Sequence, residues 1–293
     1  MGYSKKTAAV INLFFIGLSL LMVIPFALVL SVSFTSEASL ARNGYRFIPD
    51  TFVLTAYRYI FKVPDVILRA YGVTALVTAI GTAAGLLMTA MMAYTISRPD
   101  YKYKNVTSFY VFFTMLFSGG LVPFYMLMTQ YLHAKDTLWA MILPGLLSAW
   151  NVMILRGFFA KIPMEIIESA KMDGARERRI FFTVIIPLST PALATIGLLI
   201  AFGYWNEWFN ALLFIDNPSL VPLQLLLVRM LNSMEVLTQN LALLGIPDLD
   251  ASQFPTMSAR MVMVVLAAGP MMLVFPFFQR YFVQGLTVGS LKG

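Results

Sequence analysis

What most limits this chain is the spacing of its charges. Six stretches carry no Asp, Glu, Lys or Arg: Thr7 to Ser36, Ala70 to Ser97, Asn105 to Ala134, Thr137 to Leu155, Ile180 to Asn206 and Met261 to Gln279. A helix needs about 20 residues to cross the ~30 Å hydrocarbon layer, and a charge near its middle costs several kcal/mol. The spacing therefore predicts six membrane helices, near 8–33, 71–96, 108–131, 138–158, 188–214 and 260–281. Composition points the same way: charged residues are 12% of the 293 and hydrophobic ones 59%, roughly half the charge density of a soluble domain. The expected fold is an all-α membrane protein, with residues 1–293 forming one transmembrane domain.

The remaining charges set the expected orientation. Lys5 and Lys6 precede the first span, and Arg98, Lys102, Lys104, Arg156 and the basic residues between Lys161 and Arg179 fall on the same side if both termini are cytoplasmic. Excess Lys and Arg marks the cytoplasmic face, so the net charge of +7 reads as membrane topology and not as a nucleic-acid surface. Ala38-Ser39-Leu40-Ala41 loosely resembles a signal cleavage site. The apolar stretch before it is twice the length of a signal h-region, which favours an uncleaved anchor. The absence of cysteine excludes disulfides and thiolate metal sites, and the lone His133 excludes a histidine-rich one.

Two longer connections fall on the outer side. Glu37 to Arg69 has turn pairs at Asn43-Gly44 and Pro49-Asp50, then an amphipathic run through Tyr57, Tyr59, Ile60, Phe61 and Val63 that reads as an interfacial helix. Asp216 to Pro255, with Pro218, Pro222, Gly245-Ile246-Pro247 and Pro255, reads as an ordered loop with a short helix near Leu223 to Ser233. Either contacts a soluble partner or only caps the bundle.

The most informative segment is the connector 161–187. Pro163 suits a first helical turn, and Glu165 and Glu168 follow where the helix dipole favours anions. Ile166, Ile167 and Ala170 supply an apolar face. Asp173-Gly174 breaks the helix, a second short helix runs from about Arg176 to Ile185, and Pro187 opens the next span. A linker lying on the headgroups would have these properties, and so would a rigid turn docking in a partner's groove.

The connector resembles the EAA loop of ABC importer permeases: Glu-Ala-Ala, three residues, Gly, nine residues, then Ile-x-Leu-Pro. Glu168-Ser169-Ala170 opens the pattern here, Gly174 falls in register and Pro187 closes it, with Ser169, Val184 and Ile186 as mild departures. The resemblance covers nearly the whole chain and is to six-span carbohydrate permeases, the smaller subunit of the maltose-transporter type in particular. Trp205-Asn206-Glu207 is typical of those permeases, and Phe117-Ser118-Gly119-Gly120 and the ending from Pro276 to Lys292 are similar to the branch that includes alginate and rhamnogalacturonan importers. The resemblance implies a type I importer permease fold with a cytoplasmic coupling helix, in the bacterial cytoplasmic (inner) membrane. It implies a permease for oligosaccharides, acidic polysaccharide fragments such as alginate among them, that is not itself an enzyme. The implied partners are a second permease subunit forming a heterodimer, two cytoplasmic ATPase subunits that bind ATP and Mg, and an extracytoplasmic solute-binding protein. The implied ATPase-coupling residues are Glu168, Ser169, Ala170, Asp173, Gly174 and Pro187. The sequence has no Gly-x-x-x-x-Gly-Lys-[Ser/Thr] loop, so ATP chemistry is expected in a separate subunit.

Candidates for lining a sugar pathway are Glu207, Asn206, Trp205, Tyr204 and, more weakly, Asn151. An ionisable group within an apolar segment is a functional hypothesis by default, and indole rings stack on sugar faces. The alternative sets Glu207 in the outer headgroup layer, hydrogen-bonded within the chain, and an acidic cargo would favour that alternative. Gly81 and Gly85, with Ala79, Ala83 and Ala84, form a small-residue stripe for close helix packing. Other readings are a permease for peptides or amino acids and an ion-coupled secondary transporter. No internal repeat supports the latter.

Overall fold

The computed structural model describes residues 5–244 and 256–290. The expected outer-loop turn Gly245-Ile246-Pro247, Pro255 and the terminal Lys292 lie outside them. Every described element is helical, and one isolated bridge, Thr35 to Phe52, is the sole β-pairing among the described residues. The chain divides into two compact units, residues 1–67 with 227–270, and residues 68–226 with 271–293.

In the first unit, α1 (Lys5–Ser33) leaves its side chains exposed all round over 9–27 and buries Val32 in its last turn; the exposed apolar part is the surface a lipid-facing helix presents. Ser36 accepts from the Ser39 amide and so caps α2 (Glu37–Asn43). Phe34 stacks on Phe52 and Tyr57, the latter in α3 (Thr55–Ile60), at centroid distances of 4.6 and 5.1 Å. Glu37 then accepts from the amides of Met257 and Ser258 and the hydroxyls of Thr256 and Ser258, at 2.9 to 3.2 Å. Its carboxylate thus satisfies the free donors at the start of α15 (Thr256–Ser290) and complements that end of the helix dipole.

The second unit holds most of α4 (Pro64–Ser97), then α5 (Lys104–Leu116), α6 (Leu121–Met126) with a π-helical turn Leu127–Tyr131, and α7 (Trp139–Ile142). It continues through α8 (Ala149–Phe159), α9 (Met164–Met172), α10 (Glu177–Ile180), a π-helical turn Phe181–Ile185, α11 (Ile186–Leu188), α12 (Thr190–Trp205), α13 (Phe209–Phe214) and the start of α14 (Leu223–Leu244). Ile96, Met141, Leu155, Ile180, Ile196 and Phe214 form the fully buried heart of its core. Asp136 joins two loops by accepting from the amides of Asp216 and Asn217 at 2.7 and 2.8 Å, which holds its carboxyl below the usual carboxylate range.

Tyr204 explains the small residues. Its hydroxyl donates to the Ile142 carbonyl at 2.8 Å, and its ring lies between Gly81 and Gly145. A Cβ on Gly81 would sit 2.5 Å from that ring and one on Gly145 2.9 Å, while a Cβ on Gly85 would approach the Leu146 carbonyl to 3.2 Å. On α4 the ring leaves no room for a side chain at Gly81, and the Leu146 carbonyl leaves little at Gly85.

Three helices are long and apolar enough to cross a bilayer, Ala9–Ser33, Pro64–Ser97 and Thr256–Gln279, and counting each bent helix pair as one span gives six. The bent pairs depart from the unbroken helices expected at 108–131, 138–158 and 188–214. The first breaks between Leu116 and Leu121 with a bend of 110°, at Gly119 and Gly120, the latter in the left-handed region at φ +86. The second bends by 47° after the Pro144 turn, where Ser148 caps α8. The third ends at Trp205, so Asn206 to Trp208 are not helical. The helix expected to begin at 71 begins at Pro64, since proline is well suited to a first turn; the one expected at 260 begins at Thr256, and the short outer-loop helix extends to Leu244.

Gly81→Val is expected to lower thermal stability in detergent by about 1–3 kcal/mol, the usual cost of overpacking. Because the clash is with one ring, adding Tyr204→Ala should recover part of that loss. Strictly additive losses in unfolding scans of the three variants would contradict the contact.

Candidate functional site

The connector is built from the helix outward. Pro163 is the N-cap of α9, one residue earlier than expected. Ile167 is buried, and Met164 and Ala170 pack on the core from the same face. The opposite face carries Glu165, Glu168, Ser169 and Met172, all exposed, Met172 to 88%. Glu168 has no hydrogen bond or ion pair among the described residues, so its carboxylate is open to an external group.

Gly174 ends α9 in a Schellman motif. It adopts φ +74, its amide bonds the Lys171 carbonyl at 2.9 Å, and the Ala175 amide bonds the Ala170 carbonyl at 3.0 Å. The Asp173 amide reaches the Ser169 carbonyl at 3.0 Å. Ala170 and Ala175, the pair whose apolar contact accompanies this motif, both pack on the core. This accounts for the pattern physically: a small residue fits at 170, and position 174 takes a conformation that costs L-residues about 1–2 kcal/mol. Pro187, in α11, has no N–H to return to the preceding turn, and the chain widens there into the π turn Phe181–Ile185. At Ser189, two residues after Pro187, the chain turns by 86° into α12.

Nothing in the sequence pattern indicated what ties this connector to the spans. Arg98, one residue past the end of α4 and only 6% exposed, grips Asp100 with two N–H groups. It also donates to the Tyr94 hydroxyl at 2.9 Å and reaches Glu177, at the start of α10, at 3.3 Å. Tyr94 donates to the other Glu177 oxygen at 3.0 Å. Lys171, on α9, bridges Asp100 at 3.2 Å and Glu177 at 3.0 Å. Below these charges the Tyr94 ring meets Phe159 at the end of α8 and Phe181 after α10. Five groups thus join α4, α8, α9 and α10 at one point.

The electrostatics follow from this contact pattern. The Arg98 guanidinium holds the Asp100 carboxyl far below the usual carboxylate range, against a smaller desolvation effect and with help from Lys171. At Glu177 burial pushes upward, but the Lys171 and Tyr94 hydrogen bonds and the Arg98 charge outweigh it and leave the carboxyl lowered. Hydrogen bonds to Glu177 and Asp100 raise Lys171. A deprotonated Asp100 and Glu177 facing Arg98 and Lys171 make a locally neutral cluster.

The pathway candidates differ in exposure and in their partners. Tyr204 and Trp205 are buried within the chain, Tyr204 bonded to the Ile142 carbonyl and packed against Gly81 and Gly145. Asn151 is buried in the first turn of α8, its amide directed at Ser148. Asn206 is exposed, donating to the Phe202 carbonyl and accepting from Gln224. Glu207, one residue before the Trp208 N-cap, accepts from the Asn210 amide at 2.7 Å and so satisfies a free N–H in the first turn of α13. Its carboxylate is hydrogen-bonded within the chain, as the alternative reading of that residue had it.

An all-helical chain with bilayer-length helices and a charged helix–turn–helix tied to a span end has the architecture of a membrane permease. Residues 81–288 match the family described as binding-protein-dependent transport system inner membrane component, and the chain belongs to that family. It is a membrane permease component of an ABC transporter with the type I fold. Among its relatives, Protein LplC of Bacillus subtilis (strain 168) is 37% identical, the match covering 97% of this chain and 94% of that protein. The polygalacturonan/rhamnogalacturonan transport system permease protein YtcP, from the same organism, is 38% identical over 96% of each. Among solved structures, a bacterial ABC transporter involved in the import of the acidic polysaccharide alginate has a chain similar with a TM-score of 0.78 and 27% identity, over 96% of this chain and 99% of that one.

A carboxyl with a lowered folded-state value contributes stability above its ordinary range, and loses it as pH falls through the folded value. Asp100→Asn is therefore expected to lower the unfolding midpoint at pH 7 by about 2–4 °C, as ~1 kcal/mol does in a chain of this size after allowance for partial exposure. Scans at decreasing pH should show the gap between variant and wild type closing below the ordinary Asp value of 3.8. A gap that stays constant into strong acid would contradict the ion-pair network.

Proposed function

We propose that this chain is one membrane-spanning half of an ATP-driven importer for oligosaccharides, acidic polysaccharide fragments among them. The observation that carries the mechanism is α9: one face is anchored to the core and, through Lys171, to the end of α4, while the other offers Glu168, Ser169 and Met172 to a partner. That is a lever with a fixed inner end and an unoccupied outer face. In the proposal the outer face seats in a cleft on a cytoplasmic ATPase subunit, with Glu168 as its polar anchor. Two such ATPases bind ATP and Mg, and their closure moves α9. Arg98 and Glu177 carry that motion into α4, and the corner at Ser189 carries it into α12.

The substrate class rests on the relatives, whose names and titles include polygalacturonan, rhamnogalacturonan and alginate. The remaining proposed partners are a second permease subunit in a heterodimer and an extracytoplasmic solute-binding protein, in the bacterial cytoplasmic membrane with both termini inside. Asn206 is the proposed pathway-facing member of the candidate set, being exposed where the helix opens.

Reconstituted with its partners in proteoliposomes, the complex should take up oligogalacturonides in an ATP-dependent, vanadate-sensitive manner. Gly174→Val places a β-branched residue at φ +74, a strain of about 1–2 kcal/mol. Uptake should fall several-fold, and ATP hydrolysis should no longer respond to loaded binding protein. Undiminished uptake and coupling in an assembled Gly174→Val complex would refute the lever.

A further inference from the structure

The break between α5 and α6 lies at a depth where it needs explaining. Helix α5 has 13 residues, about 20 Å of rise, so it does not cross the ~30 Å apolar layer alone. The link Phe117–Gly120 sits near the middle of the uncharged stretch Asn105 to Ala134, where a span of that length has its apolar centre. Irregular backbone at that depth is not left facing lipid, because unpaired N–H and C=O groups cost several kcal/mol each there. All four link residues are nevertheless exposed on this chain, and among the described residues the amides of Ser118 and Gly119 have no partner within it. Beside the link is a cavity of about 610 Å³, bounded by Ser118, Gly119, Gly120, Phe124 and Phe209. It lies within the ~300–1,000 Å³ typical of ligand clefts. Phe209 is half exposed there, its ring edge-to-face with Trp208 at 5.8 Å.

We propose that this link lines the translocation route and that sugar residues of the cargo pass through the cavity beside it. The amides of Ser118 and Gly119 and the Ser118 hydroxyl donate to sugar hydroxyls or carboxylates, and Phe209 offers an apolar face to the ring. Neutral backbone donors accommodate an acidic sugar without a fixed cation that would hold it too tightly to release. The inference rests on the oligosaccharide reading above and assigns it a place in the chain.

The chain has no cysteine, so Gly119→Cys adds its only thiol. A Cβ at Gly119 meets nothing within 4 Å and its φ is ordinary, so the substitution should leave fold and assembly intact. In the assembled complex in proteoliposomes, a charged methanethiosulfonate should modify this cysteine, and trigalacturonate should slow the modification several-fold. Gly119→Phe should lower trigalacturonate uptake several-fold in a complex that still assembles. An unreactive cysteine in an assembled complex would show the link covered by the second permease and overturn the proposal. Modification unaffected by trigalacturonate, or wild-type uptake by Gly119→Phe, would overturn it as well. A wild-type complex that imports no oligogalacturonide would remove the substrate reading and this inference together, whereas wild-type uptake with an inert cysteine removes this inference alone.

Discussion

A guanidinium buried at the end of a membrane helix needs partners, and in this chain the partners of Arg98 determine how the molecule is joined. Its N–H groups are shared among Asp100, Tyr94 and Glu177, with Lys171 closing the ring. A buried ion pair adds little net stability compared with an apolar replacement, because desolvation offsets most of the attraction. Its strength is geometric. A planar fork with fixed donors allows few arrangements of the elements it binds, so α4, α9 and α10 meet in one register and move together. The aromatic contacts of Tyr94 with Phe159 and Phe181 extend the same constraint to α8 and to the turn after α10.

Two glycine positions show how sequence and structure connect at opposite ends of that assembly. Gly174 is needed for its backbone: φ +74 and the two Schellman hydrogen bonds end α9 within a single residue, so the helix stops short and stays stiff. Gly81 is needed for its missing side chain, because the Tyr204 ring occupies the space a Cβ would take. The first sets where α9 ends and the second sets how closely α4 and α12 pack. Both are exposed to loss by substitutions that look conservative, since Ala fits neither site without strain.

Much of this is legible in the sequence. The charge-free stretches locate the apolar helices, and the spacing of Glu168, Gly174 and Pro187 marks the connector, because a helix end and a proline are local chemistry that the chain states residue by residue. The breaks within three helices are less legible. Charge gaps report what lipid tolerates and are blind to backbone, so Gly119-Gly120 and Asn206 to Trp208 pass as continuous helix. The packing of Tyr204 between Gly81 and Gly145 is not legible either, because an aromatic in a span has the same letter whether it meets a sugar or two glycines. The Arg98 cluster is the least legible. Its bonds join residues 71 and 79 positions apart, and the only signal is that a charge at a span end and a charged connector fall on one side of the membrane.

Coupling of this kind depends on α9 meeting a nucleotide-driven partner on the cytoplasmic side. Met172, exposed at the tip of α9, is the place to test this. A Met172→Cys complex treated with a short bifunctional thiol reagent in inside-out vesicles should cross-link to an ATPase subunit carrying a cysteine in its docking cleft. The yield should differ between the nucleotide-free and ATP-bound complexes. Modification of the introduced thiol by an impermeant reagent applied only to the outer face of intact cells would contradict the account, since no ATPase reaches that side.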